Sequence, residues 1–567
     1  MKLRNRLIIT LSGLFVAAAM IVAPTAAGAI THSGTAARAS RTTLAAKGMG
    51  HASAARVVNV RAAAAGRQIK PHFRTFGPLG RNGKVAGSTL PVRRSAGAKP
   101  RPAGSTGAAN RGHAPRMHLR IHRGPLSPFV AVKQNFEGVT QSGSNCGCQP
   151  PDPNAAVSAS QNAEVVNLRL QVYKKTGNGI KLCGVALNTL LGTSASLSDP
   201  HILWDNVNKR FVMVVIPVPS SPSATATEFV LATTTASACG SWFVNTVTFG
   251  GGPFPAGTLM DYPYLGQDNS PSTTYPAGGA ILSSVNDFCC APNFSSYINS
   301  QAFAIPKYPL YHGLGFSFAT FGVSFSTAPV TTSGTGKAKS ANTYWLASVP
   351  GSGYNLYKMT NSANPGSTTL ALQASISSPF NAPSRRVNQP GTTQTLDPLD
   401  GRIDWSPEIG SGGFVWFAHG MDISGFPGIR YGAISTVSNT AQVAEAFHNS
   451  SSDDFNPSLA VTPTTGSEVF VWVNWAYTDT GNGIATSDTV NGVLPGGGVP
   501  NLSNTDLPLV NGFSTTTNFR FGDFSSVEVD PSKVSTTCPA GRDATLAQEY
   551  FDSSQQWVTR IARVSFC

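Results

Sequence analysis

The chain has 567 residues, with 41 Lys or Arg against 27 Asp or Glu, a formal net charge of +14 and eight cysteines. That charge is unevenly placed: residues 1–125 hold 21 basic and no acidic side chains, and the remainder holds 20 basic and 27 acidic, a formal −7. A uniformly basic, polyanion-binding protein is thereby excluded, and only the N-terminal part supports an argument for anionic partners.

In chain order, Lys2, Arg4 and Arg6 precede an apolar run over 7–23 and the small-residue stretch Ala27-Gly28-Ala29. This is the pattern of a signal peptide over residues 1–29. It predicts a mature protein that is secreted, extracellular or cell-wall associated. No later stretch is long and apolar enough to span a bilayer as a transmembrane helix. Residues 30–127 form a basic arm rich in Ala, Gly, Arg and Pro, with few large apolar residues and no sustained period. Such a segment buries too little to offset chain entropy, so disorder is expected, with a body that folds without it. His118 and His122 have helix-compatible metal spacing, but Arg116, Arg120 and Arg123 would repel a cation. The arm suits polyanions of the cell envelope. Nucleic-acid binding there would be unspecific, because Phe73 and Phe76 are its sparse aromatics.

The body spans 128–567. Strand-like runs rich in Val, Ile, Phe, Trp and Thr occur at 163–173, 210–218, 228–234, 242–249, 279–285, 344–349, 414–419, 468–475, 544–550 and 557–566. Only 185–191 and 441–447 suggest short helices. A short phrase recurs among the strands: PPDPNAAV from Pro150, SDPHILWD from Ser198, MDYPYLGQD from Met260, LDGRIDW from Leu399, DFNPSLAV from Asp454 and FGDFSSVEVD from Phe521. Repetition of one unit in an all-β body this long predicts a β-propeller of six or seven blades, because radial closure leaves only short edges. An Asp at a turn can accept backbone N–H groups and Pro restricts the chain beside it. In a propeller these acids would ring one mouth of the central channel. They read either as turn caps in each blade or as a shared polar site.

The order and wording of these phrases resemble exported microbial β-propeller proteins with sialidase-like architecture. The resemblance runs through PPDPNAAVSASQNAEVVNLRLQVYKKTG, DPHILWDNVNKRFVMVVI, EFVLATTTASACGSWFV and the closing FGDFSSVEVDP with QEYFDSSQQWVTRIARV, covering roughly 136–567. It implies architecture more than activity, since most members have no assigned reaction. The chain departs from the pattern at Ala155, where a Gly is usual, and at Cys146-Gly147-Cys148 and Cys289-Cys290. A sialidase requires three arginines on a carboxylate, a Tyr activated by a Glu and an Asp acid/base. Candidate arginines are Arg169, Arg210, Arg385, Arg386, Arg402, Arg430, Arg520, Arg542 and Arg560. Arg402, between Asp400 and Asp404, is the most interesting. Glu549-Tyr550 pairs an acid with a Tyr, although neighbours on a strand face opposite ways. Cys239-Gly-Ser-Trp242 lacks the Asp of a Ser-x-Asp-x-Gly-x-x-Trp box.

Eight cysteines in an exported chain suggest disulfides, with Cys538–Cys567 the preferred pair. The short Cys spacings do not fit structural zinc. Asp479-Thr-Gly-Asn-Gly resembles part of a calcium loop but is short of carboxylates, and a turn is the simpler reading. No cofactor or metal is expected. Trp416, Trp472 and Trp475 are expected in the core, although Trp faces also serve as sugar platforms.

These features predict an extracellular binding module for carbohydrate or cell-envelope polymer, monomeric and without specific nucleic-acid binding, with Asp152, Asp199, Asp400 and Asp404 as binding residues. The alternative is a sialidase-like glycoside hydrolase or lyase with Asp261, Asp523, Glu549 and Arg402 as catalytic residues.

Overall fold

Short strands joined by turns pair most readily with their neighbours in sequence. The computed structural model follows that rule around a ring of seven four-stranded blades. It describes residues 43–67, 108–109, 130–250, 254–269, 279–332, 342–462, 469–493, 506–532 and 540–567. The proposed signal peptide lies outside these residues. No helix among them is long and apolar enough to cross a membrane.

Blade 1 comprises Asn154–Val157, Gln161–Val166, Arg169–Lys174 and Lys181–Ala186. Blade 2 comprises Leu197–Asp205, Arg210–Pro217, Thr227–Thr233 and Ser241–Gly250. Blade 3 comprises Leu259–Asp268, Ala280–Cys289, Ser296–Pro306 and Phe316–Val323. Blades 4, 5 and 6 begin on the inner strands Ala328–Pro329, Glu408–Ile409 and Ser452–Val461. Blade 7 comprises Ser526–Val529, Asp543–Phe551 and Trp557–Ser565, and takes its outer strand, Ala131–Thr140, from the start of the body. Strand pairing between the two ends of the body locks the ring. Inner strands contact one another from blade to blade, with the isolated bridge Thr331–Glu408 joining blades 4 and 5. Seven blades resolve the expectation of six or seven.

Apolar side chains from facing blades form the cores, which bury Trp242, Trp345, Trp416, Trp472, Trp475 and Trp557. The core expectation for Trp416, Trp472 and Trp475 therefore holds. Two local expectations change. The run 163–173 is a hairpin rather than one strand, because Leu168 takes a left-handed conformation (φ 72°) at its turn. The segment Ala441–Ala446 is the outer strand of blade 5, with burial alternating at period two. The helix expected near 185–191 is present as Leu187–Leu191.

The arm departs from expected disorder over 43–67. Ala46–Ala52 lies between the outer strands of blades 2 and 3, antiparallel to both. Arg56–Asn59 pairs with the start of Ser241–Gly250, and Val60–Ala65 forms a one-to-two-turn helix whose Val60 is fully buried. Thr43–Leu44 and Ala108–Ala109 extend blades 4 and 5. The reason is backbone chemistry: outer blade strands carry unpaired N–H and C=O groups that a small-residue strand satisfies without large apolar side chains.

Disulfides join Cys146 to Cys148, Cys183 to Cys239 and Cys289 to Cys290. Cys183–Cys239 ties the outer edge of blade 1 to the last turn of blade 2. Cys567 is disulfide-bonded, and its expected partner, Cys538, lies outside the described residues. Asp479 forms a saturated turn, accepting from Gly481 N (3.0 Å), Asn482 N (3.1 Å), Asn449 Nδ2 (2.6 Å) and Ser451 Oγ (2.6 Å).

Candidate functional site

The repeated phrase has one backbone shape in four blades. Asp152, Asp199, Tyr262 and Asn456 each precede a proline and take φ values of 53°, 50°, 55° and 51°. A left-handed non-glycine residue before proline is disfavoured, so the surrounding bonds must hold it. In blades 2, 3 and 6 the strand register shifts at this point, as at a β-bulge. At these positions Asp199 and Asn456 reach the neighbouring blade, and Tyr262 reaches across the ring.

Those side chains stitch the ring. Asp152 Oδ1 accepts from Asp523 N at 3.0 Å, linking blades 1 and 7. Asn167 donates to Asp152 Oδ2 at 2.6 Å, and its Oδ1 accepts from Asp199 N at 3.0 Å, linking blades 1 and 2. Asp199 Oδ2 accepts from Tyr262 N at 3.2 Å, linking blades 2 and 3. Tyr262 then crosses the channel, its hydroxyl donating to Asp523 O at 2.6 Å, while Tyr264 donates to Ile403 O at 2.6 Å. Asn456 Nδ2 donates to Phe524 O at 3.3 Å, and Ser525 Oγ returns a bond to Asn456 O at 3.0 Å.

Around this lattice the acids gather about two guanidinium groups. Arg402 makes a forked pair with Asp400, both bonds 2.8 Å, and lies over the rings of Tyr262 (4.6 Å) and Phe325 (5.1 Å). Arg520 Nη2 donates to Asp523 Oδ2 at 2.6 Å. Asp152, Asp199, Asp261, Asp397, Asp404 and Glu549 surround these pairs, near enough to shift one another or to feel the arginines. Desolvation is the first cause in every case. It raises Asp152, Asp261, Asp404 and Glu549 well above the usual carboxylate range, Asp199 to about 6 and Asp397 to about 7. Burial also raises Asp523, against the pull of Arg520 and Arg402. Burial opposes the charge on Arg402, but Asp400 and its hydrogen bonds more than offset that and hold it firmly protonated.

Several polar atoms here have no hydrogen-bond partner: Asp261 Oδ2, both oxygens of Asp404, Asp523 Oδ1, Asp397 Oδ2, Glu549 Oε1, and Arg520 Nε and Nη1. An aromatic cluster packs on the same inner strands. His201 meets Phe524 edge-to-face at 4.2 Å and stacks on Trp405 at 6.0 Å, and burial lowers its pKa to about 3.

Each expected site residue therefore has a definite place. Asp152 and Asp199 form interblade bonds. Asp261, Asp404 and Asp523 stand at the channel end with Arg402, and Asp400 is its partly exposed ion-pair partner. Glu549 joins them by accepting from Gly522 N at 2.6 Å, whereas Tyr550 points away, toward Glu137 Oε2 at 3.4 Å. Adjacent strand positions separate that Glu and Tyr, as alternation requires. Other candidate arginines act elsewhere: Arg385 pairs with Asp453 and Arg430 with Glu445. Sequence reading missed Asp397 and the role of Tyr262. Asp397-Pro398 repeats the Asp-Pro signal, and Tyr262 occupies the position before proline held by Asp in blades 1 and 2.

No family model matches the chain, and no curated relative matches it. Among solved structures, an exo-β-1,3-galactanase from Phanerochaete chrysosporium is 12% identical over 61% of this chain and 80% of its own, with a TM-score of 0.28. A xylan β-1,4-xylosidase from Bacillus halodurans C-125 is 8% identical over 73% of this chain and 97% of its own, with a TM-score of 0.29. An exo-β-1,3-galactanase from Clostridium thermocellum is 9% identical over 76% of this chain and 88% of its own, also at 0.29. Superpositions this loose transfer neither activity nor subsites, and the propeller stands on its own strand pairing.

Proposed function

We propose that the propeller is an extracellular carbohydrate-binding module that takes a polyhydroxylated ligand at the acid-lined end of its channel. The observation that carries this reading is the set of unmet acceptors on Asp261, Asp397, Asp404, Asp523 and Glu549 beside unmet donors on Arg520. A buried polar atom without a partner costs about 1–3 kcal/mol. Sugar hydroxyls both donate and accept, so one ligand satisfies both kinds of atom.

Hydrolysis by the same acids is the second reading. Acid/base chemistry needs one carboxyl held protonated and another held ionised. Here burial pushes Asp152, Asp199, Asp261, Asp397, Asp404, Asp523 and Glu549 in the same direction. That uniformity favours binding over turnover. Glycan-array and cell-wall pulldown experiments with the full chain test the proposal. Binding that weakens in Asp404→Asn with folding intact supports it, and no binding to any glycan or wall polymer refutes it. Turnover of chromogenic glycosides that Asp261→Asn abolishes would establish the hydrolase instead.

A further inference from the structure

We propose a second ligand site, remote from the channel: a cavity between the N-terminal arm and the outer strand of blade 2 that takes a carboxylate-bearing saccharide. The cavity follows from the arm's pairing. Residues 49–52 pair with 247–250 of Ser241–Gly250, and residues 56–59 pair with 241–244 of the same strand. Between these two ladders backbone pairing stops at Asn245 and Thr246, where the Asn245 side chain instead donates to Ser53 O at 3.1 Å and Ala55 N donates to Gly313 O at 3.0 Å. An open cleft of about 610 Å³ lies beside this gap, within the size range of small-molecule sites.

Its lining selects the ligand. Arg56 and His51 supply cationic or donor groups, Ser53, Thr246, Thr248 and Ser317 supply hydroxyls, Phe316 supplies a ring, and no carboxylate lines it. Arg56 is already oriented: its Nη2 donates to Leu191 O at 2.6 Å and Leu190 O at 3.3 Å, at the end of the Leu187–Leu191 helix. A guanidinium so anchored offers the rest of its planar fork to a carboxylate at little further ordering cost. Hydroxyls and one aromatic face match the remainder of a pyranose, and a bare anion would leave them unused.

Because His51, Ser53 and Arg56 belong to the arm, the ligand binds only the docked arm. Binding and docking are therefore linked and each strengthens the other. This site is independent of the channel-end reading, since none of its residues belongs to that cluster.

Calorimetric titration of the full chain with a glucuronate trisaccharide, a neutral glucose trisaccharide and inorganic phosphate tests the proposal. The glucuronate binds, the other two bind at least roughly tenfold more weakly, and bound glucuronate slows hydrogen exchange over residues 46–59. Arg56→Gln lowers affinity by roughly tenfold or more, and Arg56→Lys by less. Arg56→Gln also removes the bond to Leu191 O, so hydrogen exchange without ligand reports whether the arm stays docked. Thr246→Val removes a cavity hydroxyl from a blade strand without touching the arm and should weaken binding several-fold. The proposal is overturned if no glucuronate binds, if neutral sugar or phosphate binds as tightly, or if Arg56→Gln and Thr246→Val leave affinity unchanged. Channel-end binding lost in Asp404→Asn with glucuronate affinity intact would separate the two sites.

Discussion

Asp397 offers a direct measure of what the buried acids cost. It is 2% exposed, its Oδ1 accepts from Leu399 N at 3.0 Å, and its Oδ2 has no partner. Burial raises its pKa from the ordinary 3.8 to about 7. A raised native pKa means that the folded chain holds a proton the unfolded chain releases. The resulting stability is complete below about pH 4 and is lost as pH rises through about 7. The interval corresponds to roughly 4 kcal/mol. Asn has the shape of the protonated acid and keeps the bond to Leu399 N. Asp397→Asn should therefore match the wild type near pH 4 and exceed its stability by up to about 4 kcal/mol near pH 8. Urea unfolding across that range, followed by Trp fluorescence, reads the difference. Parallel wild-type and variant profiles, or a variant less stable near pH 8, would refute desolvation as the governing effect.

Other perturbations follow from the same geometry. Gly50→Ala places a Cβ inside the ring of Phe318, which is fully buried and stacked on Phe303 at 4.9 Å. It should cost about 1–3 kcal/mol and show as rapid hydrogen exchange over 46–52. Tyr262→Phe deletes the cross-channel bond to Asp523 O and should destabilise the ring by about 1–3 kcal/mol in denaturant titration. Arg385→Leu strands Asp453, which Arg385 now holds through bonds of 2.7 and 2.5 Å, and should cost about 3–5 kcal/mol by the same assay.

How far the sequence reaches depends on which part of the residue carries the information. The Asp-Pro phrase combines a side-chain acceptor with a proline restriction, both local, so it marks the inner strands of blades 1 and 2, although the same pair at Asp397-Pro398 lies outside every blade strand. It also marks where acids gather, as Asp152, Asp199, Asp261 and Asp523 do. What it leaves open is the partner: Asp152 bonds residue 523 and Tyr262 crosses to the same residue, contacts that only ring closure creates. The arm was illegible for the opposite reason. AKGMGHA carries no strand signal in its side chains, because its pairing uses backbone groups on both edges. Its burial needs little beyond Gly50 under Phe318, Ala52 and Val60. Composition reports what side chains can bury, and it is silent about edges that another part of the chain leaves unpaired.

The two electrostatic halves of the chain thus have different physical tasks. In the body, acids outnumber bases, and their surplus concentrates where seven inner strands meet. Two arginines cannot neutralise that many carboxyls at low dielectric, so burial favours their protonated form, and each unmet carboxyl atom remains open to a hydrogen-bond partner from outside. In the arm, charge is not what holds residues 43–67 in place: Arg56 is fixed by carbonyl oxygens and the strands by backbone bonds. Salt should therefore weaken adsorption of the arm to polyanions without releasing its strands from blades 2 and 3. Release of residues 46–52 by salt alone, read by hydrogen exchange, would mean that the docked segment is held by charge after all.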